Sequence, residues 1–331
     1  MPTVAYIYRC PQPEFHSIEE LFGVVARNLP GNFSAHTHSV PAPGATPAAM
    51  LRNCTALRKV KADIKHITGH VNYVGCALGG NTILTVHDVR SLLYRNVLGN
   101  LVLKLFWFWL PALRVKYITV VSDFSRRELV RMVPFAKRKI RVVGNPCTFE
   151  EQINPCAFNV HQPRILHIGT KPNKNLGRTI AALSDLPCTL VIIGNLSAAD
   201  KDNLAAANIA YENYFDLTFD QLREQYVRCD IVCFASTYEG FGMPVIEANS
   251  LGRPVVAGRL GAIPEVAGKA ACLVDPFDPV SIRKGVQKVV NDMEYRDWLI
   301  EQGIHNARRF APAAIASQYA NVYAELLQSS P

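Results

Sequence analysis

Short apolar runs alternate along the whole chain with stretches whose apolar residues recur at helical spacing. The runs predict strands, and the i, i+3, i+4 recurrences predict helices. In the first half the expected strands are Thr3–Tyr8, Phe33–Val40, Lys65–Thr68, Thr82–His87, Tyr117–Ser122 and Lys139–Val143. The expected helices are Ser17–Leu29, Met50–Asp63, Leu92–Val115 and Ser125–Val133. Ser17, with Glu20 three residues on, has the pattern of a capping box. From Gly144 to Pro163 the pattern fades and three prolines appear, Pro146, Pro155 and Pro163, which reads as a linker. The alternation then restarts. Strands are expected at Arg164–Gly169, Thr189–Gly194, Ile209–Tyr214, Asp230–Ala235, Pro254–Ala257 and Ala271–Val274. Helices are expected at Asn175–Leu183, Ala198–Ala206, Phe219–Arg228, Met243–Ser250, Pro279–Asp292, Met293–Ala307 and Ala314–Leu327.

Repeated βα units imply parallel sheets with helices on both faces and right-handed crossovers. Two such series give an α/β chain of two doubly wound, Rossmann-like domains facing a cleft, divided near residue 160. Ligands of such sheets bind beyond the carboxyl ends of the strands. Residues just after the strands are therefore the ones that could carry chemistry.

Composition narrows the class. With 331 residues, 49% hydrophobic and 19% charged, the chain is neither disordered, nor collagen-like, nor a small disulfide scaffold. The net charge of +8 is unevenly spread: residues 1–160 carry 19 Lys and Arg against 9 acidic residues, and residues 161–331 carry 16 against 18. The densest basic run is Lys137-Arg138-Lys139 with Arg141, downstream of Arg126, Arg127 and Arg131. It reads either as a solvated face or as an attraction to an anionic acceptor or membrane surface. Nucleic-acid binding would interleave such residues with aromatics along a face, and this run does not. The nine scattered cysteines lack a second pair at zinc spacing and read as buried thiols in a reducing, cytoplasmic setting. Met1–Tyr8 lacks the features of a signal peptide. No stretch reaches the ~20 apolar residues of a membrane span. The nearest, Leu101–Leu113, is broken by Lys104 and Pro111 and holds Phe106-Trp107-Phe108-Trp109. Those aromatics fit either a helix buried among its neighbours or an interfacial element that dips into lipid headgroups.

The most informative segment follows the strand expected at Asp230–Ala235: Ser236-Thr-Tyr-Glu239-Gly240-Phe241-Gly242-Met243-Pro244-Val-Ile-Glu247. Glycines let backbone approach a ligand closely, and Pro244 suits a first helical turn. Amides from Gly240 to Met243 at a helix start make an anion site. Glu239 and Glu247, with seven residues between them, flank it. Carboxylates beside an anion site make sense when they accept hydroxyls. The implied ligand carries both phosphate and sugar, as a nucleotide-sugar does.

This segment resembles the E-x7-E motif of the retaining glycosyltransferases of family 4, which have the two-domain GT-B fold. Arg164–Leu176 (RILHIGTKPNKNL), Gly261–Val266 (GAIPEV) and Ala271–Pro276 (ACLVDP) are similar to further family segments. So are Thr85-Val86-His87-Asp88 and Val121–Ser125 in the first half. Arg309-Phe310 with Ala320–Leu326 resembles the closing helix, which in that fold crosses back to the first domain. The resemblance thus implies an acceptor-side domain over 1–160, a nucleotide-sugar-binding domain over 161–310 and a returning helix over 311–331.

The same resemblance implies roles. Glu247 binds the donor ribose. Glu239 contacts the sugar hydroxyls and orients the ring. The amides of Gly240, Phe241, Gly242 and Met243 hold sugar and phosphate oxygens. Lys174 meets the diphosphate, with Thr170 and Lys171 in the same turn. His87 sits by the transferred sugar. The implied partners are a UDP- or GDP-sugar and a glycan or lipid-linked acceptor, with peripheral membrane contact and no nucleic acid. Neither a cofactor nor a metal is implied, and transfer proceeds by front-face attack.

The sequence departs from the family in three places. The basic residue ahead of Lys174 is Lys171 where the family usually has Arg. The first loop, Cys10–Ser17, is not Gly-rich, and Ala235 stands where Pro is usual. Two other readings share this architecture: a nucleotide-sugar epimerase or sugar-phosphate synthase, and a non-catalytic nucleotide-sugar-binding partner. A dinucleotide oxidoreductase needs G-x-G-x-x-G after the first strand; the turns after Tyr8 and Gly169 lack it, and Gly79-Gly80 precedes a strand.

Overall fold

The structure is a computed structural model that describes residues 1–11, 17–89, 101, 103–149 and 157–329. The chain forms two compact units, residues 1–148 with 311–331, and residues 149–310. Phe149, inside the range expected for the first domain, goes with the second unit. Its ring packs edge-on against Phe219 and Tyr226, at 5.1 and 5.2 Å between centroids.

The first unit holds a six-stranded sheet, β1 (Thr3–Tyr8), β2 (Ser34–Ser39), β3 (Ile64–Ile67), β4 (Thr82–Val86), β5 (Tyr117–Val120) and β6 (Ile140–Val142), in the order β2-β1-β3-β4-β5-β6. The second holds β7 (Arg164–Ile168), β8 (Thr189–Ile193), β9 (Ala210–Tyr214), β10 (Ile231–Phe234), β11 (Val255–Gly258) and β12 (Cys272–Val274), in the order β12-β11-β10-β7-β8-β9. Every pair in both sheets is parallel. The order reverses between β1 and β3 in the first sheet and between β7 and β10 in the second. At such a point the connections leave in opposite directions and open a crevice at the strand ends. Central strands are buried on both faces, so β4, β5, β10 and β11 are buried at every residue.

In the first unit the helices are α1 (Ser17–Arg27), α2 (Pro47–Leu57), α3 (Leu110–Arg114) and α4 (Asp123–Met132). α2 starts earlier and stops sooner than the expected Met50–Asp63. Thr46 caps it by accepting the Ala49 N–H, and Pro47 occupies its first turn. α4 starts at Asp123 because Ser122 accepts the Ser125 N–H. Of the helix expected over Leu92–Val115, residues 92–100 and 102 lie outside the described residues. Lys104–Trp109 winds as a π-helix and leads into α3. The side chain of Ser17 is likewise outside them, and Glu20 reaches Arg27 at 3.4 Å. The second unit holds α5 (Leu176–Leu183), α6 (Ala198–Ala206), α7 (Phe219–Arg228), α8 (Met243–Ser250), α9 (Ile263–Ala267), α10 (Pro279–Asn291) and α11 (Met293–Arg308). α6 and α7 begin with capping boxes, Ser197/Asp200 and Thr218/Gln221.

The last helix, α12 (Pro312–Gln328), belongs to the first unit. Tyr319 and Tyr323 pack around the buried His66 of β3. His66 Nδ1 lies 2.7 Å from Tyr323 Oη and Nε2 lies 2.7 Å from Thr85 Oγ1, while Tyr323 donates to Tyr6 Oη at 3.1 Å. Burial pushes the His66 imidazole down to about 3, so it stays neutral and serves as a core polar joint. At the edge strand, Glu325 pairs with Arg141 and accepts from Tyr117 Oη at 2.9 Å. Among the described cysteines, five are buried and Cys10, Cys54 and Cys76 are partly exposed; all eight are free thiols.

Candidate functional site

The site is assembled at the reversal between β7 and β10. β7 ends in the turn Gly169–Asn175. Pro172–Lys174 forms one 3₁₀ turn, closed by the Lys174 N–H on Lys171 O at 2.8 Å. Gly169 sits at φ +89°, and a Cβ there would come 2.9 Å from Lys174 Cγ. The missing side chain gives the lysine stem its place. Asn175, at φ +66°, starts α5 in the left-handed region. Its amide donates to Ala235 O and Pro276 O at 2.9 and 2.6 Å, which ties the turn to the ends of β10 and β12.

After β10 the chain runs along this turn. The Thr237 N–H donates to Asn173 O at 2.9 Å, and the Asn173 amide donates to Tyr238 O at 3.0 Å. The same amide reaches Glu239 Oε1 at 3.2 Å, and Lys174 Nζ donates to that oxygen at 2.7 Å. Lys174 Nζ also lies 4.8 Å from the centre of the Phe234 ring. The pair is partly shielded: the side chains of Lys174 and Glu239 are 20% and 13% exposed. Water can therefore reach the charges without screening them fully. From the other side the Ala262 N–H donates to Glu239 O at 3.0 Å. Gly261 lies so close that a Cβ would fall 2.7 Å from that oxygen, and its φ of +66° suits glycine.

Gly242, at φ +110°, caps α8, with Pro244 in the first turn. Phe241 turns its side chain inward, edge-on to Phe310 at 5.4 Å. Met243 is partly buried. One turn into α8, Glu247 accepts a short hydrogen bond on Oε2 from the hydroxyl of Tyr226. Burial pushes the Glu247 carboxyl up to about 7, against the opposing effects of Tyr226 and Lys174. Thr170 donates to Asn195 O at 2.7 Å and straps this turn to the one after β8, while Lys171 is exposed. His167 of β7 is buried, and burial with the nearby Lys174 charge holds it down to about 4.

The structure therefore brings Lys174 and Glu239 together and sets Glu247 on the helix that follows. His87 belongs to the first unit, after β4. Its Nε2 lies 2.8 Å from Thr68 O, and a Cβ on Gly69 (φ +120°) would meet its ring at 2.8 Å. Burial pushes its imidazole down to about 4, so it is neutral near pH 7. Among the described residues no cluster of three or more His, Cys, Asp or Glu side chains could hold a metal ion.

Two functional candidates escape the sequence reading. Asn173 holds Glu239, and the turn-forming Lys-Pro-Asn-Lys-Asn string is the signal that could have flagged it. Tyr226 holds Glu247 from 21 residues upstream and carries no local signal.

The family model for Glycosyl transferases group 1 matches residues 148–306, and that for Glycosyltransferase Family 4 matches residues 7–151. The chain belongs to glycosyltransferase family 4. Among its relatives is O-antigen chain mannosyltransferase B of Escherichia coli, 27% identical over 229 residues. That match covers 63% of this chain and spans 60% of the relative's length. Among solved structures, sucrose-phosphate synthase from Thermosynechococcus elongatus covers 100% of both chains at a TM-score of 0.78 and 15% identity. Anabaena Alr3699/HepE, solved with UDP and glucose, covers 98% of this chain and 100% of its own at 0.75 and 15%. These likenesses place the two sheets of this family 4 chain in the GT-B fold.

Proposed function

We propose that this protein is a retaining glycosyltransferase that moves a hexosyl group from a UDP- or GDP-sugar to a glycan or lipid-linked acceptor in polysaccharide synthesis. The observation that carries this reading is the convergence of Lys174 and Asn173 on Glu239 at the reversal of the second sheet, beside the start of α8. One relative and one structural neighbour point the same way by name: the relative is a mannosyltransferase and the neighbour was solved with UDP and glucose.

In this reading Glu247 accepts the ribose hydroxyls and Glu239 accepts hydroxyls of the sugar. The amides of Gly240, Phe241, Gly242 and Met243 face sugar and phosphate oxygens. The bond from the anomeric carbon to the diphosphate breaks, and its electron pair leaves with the phosphate oxygen. The acceptor oxygen bonds to the same face of the carbon, and its proton passes to the departing phosphate. A lysine ammonium has three donors. The pair with Glu239 uses one, so Lys174 can hold the sugar-orienting carboxylate and the leaving group together. Thr170 shapes that turn, and Lys171 adds positive charge at its mouth. His87, neutral, with Nε2–H donating to Thr68 O, offers Nδ1 as an acceptor for a hydroxyl of the transferred sugar.

Incubation with a panel of UDP-, GDP- and ADP-sugars tests this. Release of nucleoside diphosphate with one donor is the expected result. No turnover with any donor, alone or with lipid-linked acceptor, overturns it.

The acceptor side has its own observation. Leu101, Leu105, Trp109 and Leu113 recur every four residues and all are exposed, whereas Leu103, Phe108 and Ala112 between them are buried. A spacing of four drifts around an α-helix; the wider π turn over Lys104–Trp109 offsets that drift. Trp109 donates to Met132 O at 2.9 Å and lies edge-on to the exposed Phe135 at 6.0 Å. Residues 101–122 and 129–148 contain eight Lys and Arg and no Asp or Glu. Lys139 is engaged with the carbonyls of Ala112 and Val115, and Arg141 with Glu325. Lys104 Nζ lies 5.3 Å from the centre of the Trp109 ring, and Arg114, Lys137 and Arg138 lie just beyond Leu113 and Phe135 in the chain. The proposed partner is the anionic inner face of the cell membrane, each basic residue near it adding about 1 kcal/mol. The proposed contact is peripheral; among the described residues no helix is long and apolar enough to cross a membrane. The protein is expected to sediment with phosphatidylglycerol vesicles at low salt and to stay in solution with phosphatidylcholine vesicles. Equal behaviour with both overturns the assignment.

A further inference from the structure

We infer that Tyr226 is a positioning residue that fixes the Glu247 carboxylate for the donor ribose, a role that rests on the ribose reading of Glu247. Tyr226 is fully buried two residues before the end of α7, and its hydroxyl donates to Glu247 Oε2 across to α8. Its ring is held edge-on by Phe149, itself buried and packed against Phe219 at the start of the same helix. The ring is therefore locked before any ligand arrives. A buried tyrosine hydroxyl needs a partner, and the carboxylate supplies it. An ionised carboxylate has about four acceptor positions. The Tyr226 hydroxyl takes one on Oε2, and this orients Oε1 and the remaining Oε2 position for a pair of vicinal hydroxyls.

The contact also bears on protonation. Burial favours the neutral Glu247 acid, which is a poorer acceptor for hydroxyls. The Tyr226 hydroxyl and the Lys174 ammonium both favour the carboxylate. Other elements packed on α8 carry, among their ionisable groups, Cys233 (β10), Glu265 (α9), and Glu294, Tyr295, Arg296, Asp297, Glu301, His305 and Arg308 (α11). α11 meets α8 through Asn306, which donates to Asn249 Oδ1 at 2.9 Å. Removing the tyrosine hydroxyl keeps the ring and its packing but removes one of the two groups that favour the charged form. The Glu247 midpoint then moves up, and more of the carboxyl is neutral at pH 7.

Calorimetric titration with UDP and with GDP tests this on the intact wild-type chain, Tyr226→Phe, Glu247→Gln and the double variant, at roughly pH 6, 7 and 8, on both sides of the Glu247 midpoint. For the nucleotide that binds wild type, Tyr226→Phe is expected to weaken affinity about tenfold at pH 7, the loss that follows when only about a tenth of the protein keeps a competent, ionised Glu247. The deficit should shrink at the highest pH, where a larger share of Glu247 is ionised in both proteins. In the Glu247→Gln background the same change should cost less than about twofold, because the two side chains act as one unit. An affinity for Tyr226→Phe equal to wild type overturns the positioning role. So does a deficit that is the same at every pH or that adds to that of Glu247→Gln. An unchanged affinity in Glu247→Gln, or no binding of either nucleotide to wild type, overturns the ribose reading and this inference together.

Discussion

Lys174→Ala is expected to lower kcat for transfer by about 10²–10³ while changing donor KM by less than about tenfold. In the proposed reading the ground-state diphosphate already bears its charge and is met by the amides at the start of α8 as well. The additional negative charge appears on the bridging oxygen only as the glycosidic bond breaks, and an ammonium placed there acts mostly in the transition state. The Lys174 side chain is held in place without a ligand. Its stem fills the space at Gly169, its 3₁₀ turn is closed by Lys171 O, and its Nζ is anchored 2.7 Å from Glu239. Lys174→Met keeps the stem without the charge and should be as slow as alanine. Steady-state rates with the turned-over donor check this. A rate within about threefold of wild type would sink the assignment of Lys174.

Glu239→Ala is expected to be comparably slow, for a different reason. Its carboxylate is fixed by two side-chain donors, Asn173 and Lys174, and its backbone oxygen by the Ala262 amide. In the proposed role that rigidity would set the sugar ring in one orientation, and misplacement of reacting atoms by even about 1 Å can cost about 10². Alanine also leaves the Lys174 ammonium without its anion. The double variant Lys174→Ala/Glu239→Ala should be no slower than the slower single variant within about threefold, because the two residues form one unit. Fully additive losses, measured in the same assay with thermal melts to confirm folding, would show that the two serve separate steps.

The sheets were legible because strands buried on both faces read as unbroken apolar runs. Ile231–Phe234 and Val255–Gly258 are the clearest cases, each buried throughout. Helix starts were legible where a polar side chain caps its own helix within three residues, as Ser197 does with Asp200. They were less legible at Met50–Asp63, where the apolar recurrence outlasts the helix that Thr46 and Pro47 begin. The Glu239–Glu247 segment stood out because glycine, proline and carboxylate lie within a few residues of one another, so the chemistry is local.

By itself the sequence determined the α/β class, the two series of βα units and the residue types at the candidate site. These depend on short-range periodicity and local backbone preference, which a linear chain displays. Tertiary structure decided the strand order, and with it the reversal between β7 and β10 that lets Lys174 meet Glu239 across 65 residues of chain. It decided that α12 completes the first unit, through Tyr323 and His66, 257 residues apart. It also assigned Tyr226 to Glu247 and gave the Leu101–Leu113 segment one exposed apolar face through a π turn. Each of these depends on which distant surfaces are buried against one another. Hydrophobic burial is non-directional, so the apolar pattern marks which residues go inside without naming the partners they meet there.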